Sequence, residues 1–91
     1  MPESEFYDEV ESLARRLVSS LSGFSPRERD EVSSFLDAGE YGLAIETASA
    51  IVLEEARPLS RVSLELIRDL VAKIGIDDTV DINRLEVRVV E

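Results

Sequence analysis

The sequence predicts an all-α fold: a small four-helix bundle with a short C-terminal β segment. Apolar residues recur at three- and four-residue spacing in four consecutive segments, which is the pattern of amphipathic helices. Serine, proline and glycine separate these segments at positions where they typically begin or end helices. A chain of 91 residues with 44% hydrophobic residues is expected to form a single helical domain over residues 1–91.

The first two helices are predicted from their caps and their apolar stripes. The first is expected from about Ser4, its cap, to Leu21. The second is expected from about Pro26 to Ala38, because serine precedes proline at its start and Glu28 follows three residues after that serine, as in a capping box. The stripe of the first helix contains Phe6, Val10, Leu13, Leu17 and Leu21.

The third and fourth helices follow a glycine and a proline, respectively. The third is expected from about Tyr41 to Glu55, after Gly39 has ended the second helix. Arg57-Pro58 stops it, because proline disfavours helical geometry in the residue before it. The fourth is expected from about Arg61 to Ile74, with Ser60 as its cap and Gly75 at its end. Its predicted buried stripe contains Leu59, Val62, Leu66, Ile67, Leu70, Val71 and Ile74.

The C-terminal tail has a different periodicity. Leu85, Val87 and Val89 alternate with other residues, which predicts one short strand. Three arrangements are open for it: a hairpin with Val80–Ile82, a strand shared with a second copy in a homodimer, or a tail that lies extended on the bundle.

Charge and composition exclude several classes of function. The net charge of −10 argues against nucleic-acid binding, which needs lysine and arginine at the phosphates, and favours a basic partner. The chain has no cysteine or histidine, so thiol chemistry and the commonest general base and metal ligand are absent. No segment resembles a signal peptide or a membrane span. We therefore expect a cytoplasmic protein that is not an enzyme and needs no cofactor.

The acidic clusters give weak grounds for a catalytic or metal site. Glu54 and Glu55 are adjacent in a helix and point about 100° apart, so they do not converge. The Asp77–Asp81 segment lacks the glycine and the final glutamate of a calcium loop. A hydrolase built from carboxylates alone is thus the least favoured hypothesis. Tyr41, with Asp37 and Glu40, is either a partner-binding spot or an ordinary core residue with its hydroxyl at the rim.

The hairpin between the second and third helices carries a family resemblance. Ser34-Phe35-Leu36-Asp37-Ala38-Gly39-Glu40-Tyr41-Gly42-Leu43-Ala44-Ile45-Glu46, followed by Glu54-Glu55, Pro58-Leu59-Ser60, Leu66-Ile67 and Ile74-Gly75-Ile76-Asp77, resembles the MafI-type family of immunity proteins from bacterial polymorphic toxin systems. The resemblance covers about Val32 to Asp77. It implies a compact helical antidote that binds a cognate toxin.

The resemblance also implies which residues act. Toxins of such systems are often nucleases, whose basic groove an acidic protein could block. Glu40 and the pair Glu54 and Glu55 lie on family motif positions. Together with the spot around Tyr41 they make up the predicted partner-binding residues, which are Asp37, Glu40, Tyr41, Glu54 and Glu55. Glu46 is expected to bind a backbone amide or Arg29 across the hairpin. The alternative is an acidic adaptor or homodimerisation module without a toxin partner.

Overall fold

Four long helices, followed by one short helix, form the part of the chain that the computed structural model describes, residues 3–90. The helices are α1 (Glu3–Ser20), α2 (Pro26–Asp37), α3 (Tyr41–Glu54), α4 (Arg61–Ile74) and α5 (Ile82–Glu86). The predicted all-α bundle of four helices is confirmed, with bounds within two residues of those expected. Within residues 3–90 there is no sheet.

The four long helices run alternately in opposite directions. At one end of the bundle the Ser20 and Ser63 hydroxyl oxygens, from the last turn of α1 and the first turn of α4, lie 2.6 Å apart. At the other end Lys73 Nζ, near the end of α4, lies 2.8 Å from Glu9 Oε1 in α1. The short turn at 38–40 makes α2 and α3 antiparallel. Each end of the bundle therefore collects residues from all four long helices.

The core is aliphatic and draws on all five helices. The largest side chains that are less than 2% exposed are Val10, Leu17, Val32, Ile45, Val52, Leu59, Ser63, Leu64, Ile67, Leu70 and Leu85. Small residues of α3, including Ala44 and Ala48, are also buried and let neighbouring helices approach closely. The radius of gyration of 12.2 Å is that of a well-packed chain of this length.

Local signals set the helix ends. Ser25 Oγ accepts a hydrogen bond from the Glu28 backbone N–H at 3.1 Å, and Glu28 Oε1 accepts one from the Ser25 N–H at 2.9 Å. This is the predicted capping box. Gly39 and Gly75 end α2 and α4 with φ of 74° and 79°, a region that glycine enters without a Cβ penalty.

The capping box should make folding stability depend on pH. The Ser25 backbone hydrogen bond, and next the Arg57 guanidinium 3.0 Å away, lower the pKa of Glu28 from its ordinary value of 4.5. The folded state thus releases this proton more readily than the unfolded state, so the contribution is present above pH 4.5 and is lost as pH falls through the lowered pKa. We expect the gap in urea midpoint between wild type and Glu28→Gln to narrow below pH 4.5. A constant gap across pH 3–7 would contradict this.

The tail does not form the predicted strand. Ile82–Glu86 is helical, and Val89 makes an isolated parallel bridge to Leu59, in the connection between α3 and α4. Asp81 caps the short helix, because its Oδ1 accepts a hydrogen bond from the Arg84 backbone N–H at 3.1 Å. Leu85 is fully buried whereas Val87 is 80% exposed, so these residues do not share a face as a strand would require. Of the three arrangements predicted for the tail, the structure is nearest to the one in which it lies on its own bundle. Part of the tail is a short helix, however, and not an extended chain.

Two smaller predictions are wrong. Ser4 lies inside α1, which begins at Glu3, and so does not cap it. Val62 is 62% exposed, because it lies on the edge of the α4 stripe that α1 does not cover. Leu59, which belongs to the same predicted stripe and is the bridge partner of the tail, is buried as expected.

Candidate partner-binding surface

One end of the bundle, called here the acidic end, collects acidic side chains. It is formed by the first turns of α1, the turn between α2 and α3, and the exit from α4. Its carboxylates belong to Glu3, Glu5, Asp8, Glu9, Asp37, Glu40, Asp77 and Asp78. Because these residues come from three separate parts of the chain, only the antiparallel packing of the helices brings them together.

Two tyrosines stack at the acidic end. The rings of Tyr7 in α1 and Tyr41 at the start of α3 have centroids 6.3 Å apart and planes inclined by 26°. Tyr7 is 47% exposed, and Leu43 nearby in α3 is 44% exposed. The sequence left open whether Tyr41 is a partner-binding residue or an ordinary core residue. Tyr41 is partly buried against the core, which is intermediate between the two. A partly exposed tyrosine pair is typical of a surface that contacts another protein.

Tyr7 is not among the site residues that the sequence predicts. Its signal is faint, since Tyr7 follows Phe6 at the edge of the apolar stripe of α1. The rings of Phe6 and Tyr7 pack edge to face, with centroids 5.5 Å apart. Only the packing of α1 against the start of α3 reveals that Tyr7 extends the aromatic surface of Tyr41.

Two carboxylates of the acidic end pair with basic side chains, Arg15 of α1 and Lys73 of α4. Arg15 Nη2 lies 2.7 Å from Asp37 Oδ1, and this hydrogen bond raises the pKa of Arg15. Lys73 donates to Glu9, which raises the pKa of Lys73. Such exposed pairs add little stability. The Glu40 side chain is exposed and makes no capping hydrogen bond to α3.

The five predicted binding residues divide between the two ends of α3. Asp37, Glu40 and Tyr41 lie at the acidic end. Glu54 and Glu55 are exposed at the far end of the helix, about 20 Å away at 1.5 Å per residue. Arg57 follows this second group in the chain, but its guanidinium pairs with Glu28 in α2 at 3.0 Å. One flat contact with a partner centred on Tyr41 would not include Glu54 and Glu55.

Glu46 has a different partner from the expected ones. Its Oε2 accepts a hydrogen bond from the Thr79 hydroxyl at 2.7 Å. Arg29 instead donates its Nε–H to the Leu21 carbonyl oxygen at 3.2 Å, because α2 places it at the opposite end of the bundle from Glu46. Glu46 therefore ties α3 to the segment that leads into α5.

Among residues 3–90, no cluster of three or more Asp, Glu, His or Cys side chains is arranged to hold a metal ion. None of the helices described has both the length and the apolar character needed to cross a bilayer. Comparison of the chain with known protein families, curated proteins and solved structures finds no match.

Proposed function

We propose that this protein is an immunity protein that binds a cognate bacterial toxin in the cytoplasm and neutralises it by occupying a basic surface. The partner is a cationic toxin domain, with a nuclease as the first candidate because a nuclease needs a basic groove for its substrate. The protein carries out no chemistry on the toxin. It acts by tight one-to-one binding.

The observation that carries this proposal is the acidic end with its partly exposed tyrosine pair. Carboxylates on α1, on the α2–α3 turn and after α4 lie at the same end of the bundle as Tyr7 and Tyr41. Aromatic rings supply contact area at a low entropic cost, and the surrounding negative charge accelerates encounter with a basic partner. The resemblance of residues 32–77 to MafI-type proteins supports the same conclusion independently of charge.

The test is genetic and biochemical. We expect the gene next to the one for this chain to encode a secreted effector whose C-terminal domain kills cells that lack the protein. Co-expression of this chain should restore growth, and the two purified proteins should elute as a 1:1 complex whose association rate falls as salt rises. If the neighbouring gene product is harmless, or its lethality persists on co-expression, the proposal is wrong.

The alternative is an acidic adaptor or homodimerisation module. Exposed Val62, Val87 and Val90 favour this reading, because they offer apolar surface to a second copy. The tail, however, already pairs within its own chain: the Val90 N–H donates to the Leu59 carbonyl oxygen at 2.9 Å. Under this alternative, light scattering would give twice the monomer mass, and deletion of residues 80–91 would abolish this self-association.

A further inference from the structure

A groove separates α3 from the segment that leads into α5. Its volume is about 370 Å³, within the range of sites that hold small molecules. Glu46, Ser49 and Leu53 line it from one face of α3, since residues three and four apart share a helix face. Residues 79–81 line the opposite wall. The small side chains of Ser49 and Ala50 explain the space, because they do not reach across to the tail.

The rim of the groove has a negative balance. It carries the carboxylates of Glu46, Glu54 and Asp81 against the single guanidinium of Arg84. Thr79 holds Glu46 through Oε2, and the Arg84 backbone N–H holds Asp81 through Oδ1. The carboxylates of Glu46 and Asp81 are thus each held through one oxygen. Within residues 3–90, the second oxygen of each accepts no hydrogen bond. The floor is apolar, with Leu53 and Val80.

Ser49 supplies an independent observation. Its side chain is 4% exposed, and its hydroxyl has no hydrogen-bond partner in the described structure. A helical serine usually satisfies its hydroxyl with the carbonyl oxygen of the preceding turn, and a buried hydroxyl without a partner is unfavourable. The unsatisfied group lies on the groove wall, between the two carboxylates of α3, where a polar group in the groove could complete its hydrogen bonding.

We infer that this groove binds an alkyl cation: a guanidinium or primary ammonium group on an aliphatic stem. The stem would lie along Leu53 and Val80, and the cationic head would donate to the second oxygens of Glu46 and Asp81 and to the Ser49 hydroxyl. Such a head carries several N–H donors and no negative charge, which suits a site lined mainly by acceptors. This inference uses other residues of α3 than Tyr41 and does not depend on the toxin proposal.

The test is a ¹H–¹⁵N NMR titration with n-butylguanidinium at constant ionic strength. We expect saturable shifts in the backbone signals of residues 46–54 and 79–84. Its neutral counterpart n-butylurea should produce almost none. Glu46→Gln and Ala50→Leu, which remove a charge and fill the groove, should each weaken binding about tenfold, and Ser49→Ala several-fold. Glu40→Gln, an equal change of charge at the acidic end, should alter affinity by less than about twofold.

The same spectra would show whether each variant is folded. Two further probes distinguish the source of the cation: spermidine stands for a free polyamine, and acetyl-arginine amide for a side chain of a protein partner. Saturation by either at the groove supports the inference and identifies the source. Shifts that do not saturate, that spread over the acidic end, or that are unchanged by Glu46→Gln and Ala50→Leu would overturn it.

Discussion

Replacing Leu85 with alanine is expected to lower the free energy of unfolding by about 2–5 kcal/mol. Leu85 is fully buried although it lies in a helix of only five residues. Removing most of its side chain would leave a cavity between α5 and the two helices that α5 contacts, α3 and α4. Urea unfolding followed by circular dichroism would measure the loss. For a domain this small, such a loss is a large part of its total stability.

Val87→Ala is the matched control for Leu85→Ala. Val87 lies two residues further along and is 80% exposed, so the substitution should change the free energy of unfolding by less than about 0.5 kcal/mol. If the tail were a strand with Leu85 and Val87 on one face, both substitutions would have similar effects. Similar effects, or a negligible cost for Leu85→Ala, would contradict the docked position of α5.

Replacing Glu40 with lysine and Tyr41 with alanine together is expected to weaken toxin binding about 100-fold or more. The two substitutions remove an exposed carboxylate and introduce a positive charge that a basic partner would repel. They also remove one of the two stacked rings. Surface plasmon resonance with the toxin domain would show both a slower association and a faster dissociation. The melting temperature should fall only slightly, because Glu40 is exposed and Tyr41 is only partly buried.

Glu55→Lys provides the comparison of charge. It changes the net charge as much as Glu40→Lys does, but at the opposite end of α3. We expect it to reduce the association rate by less than about threefold, through the overall field alone, and to leave the dissociation rate unchanged. If Glu55→Lys were as harmful as Glu40→Lys, the contact would involve the far end of the bundle, and the acidic end would lose its special role.

The four long helices could be predicted because the signals that define them are local. The Ser25–Glu28 capping box, Gly39 and Gly75 act within one turn of the chain, so they need no knowledge of the neighbouring helices. The turn after the third helix has no such local signal. Ala56, a non-glycine residue, turns the chain after α3 with φ of 51°, and nothing in its residue type indicates this.

The candidate site could be predicted only in part. Asp37, Glu40 and Tyr41 are close in sequence, and they remain close in space because a tight turn joins α2 to α3. Glu54 and Glu55 do not belong with them, and the sequence already implied this: the predicted third helix places them about 20 Å from Tyr41. Tyr7 is 34 residues from Tyr41 in the sequence (41 − 7), so no local pattern could pair the two rings.

By itself the sequence determined the number of long helices, their ends, the aliphatic core and the negative charge, since all of these follow from residue type and short-range spacing. The tertiary structure decided the tail, the tyrosine stack and the partner of Glu46. The alternation of Leu85, Val87 and Val89 predicts a strand, but a strand needs a neighbour to satisfy its backbone hydrogen bonds. The bundle instead offers a buried place for one leucine beside α3 and α4, and burial of that leucine with a cap at Asp81 favours a short helix.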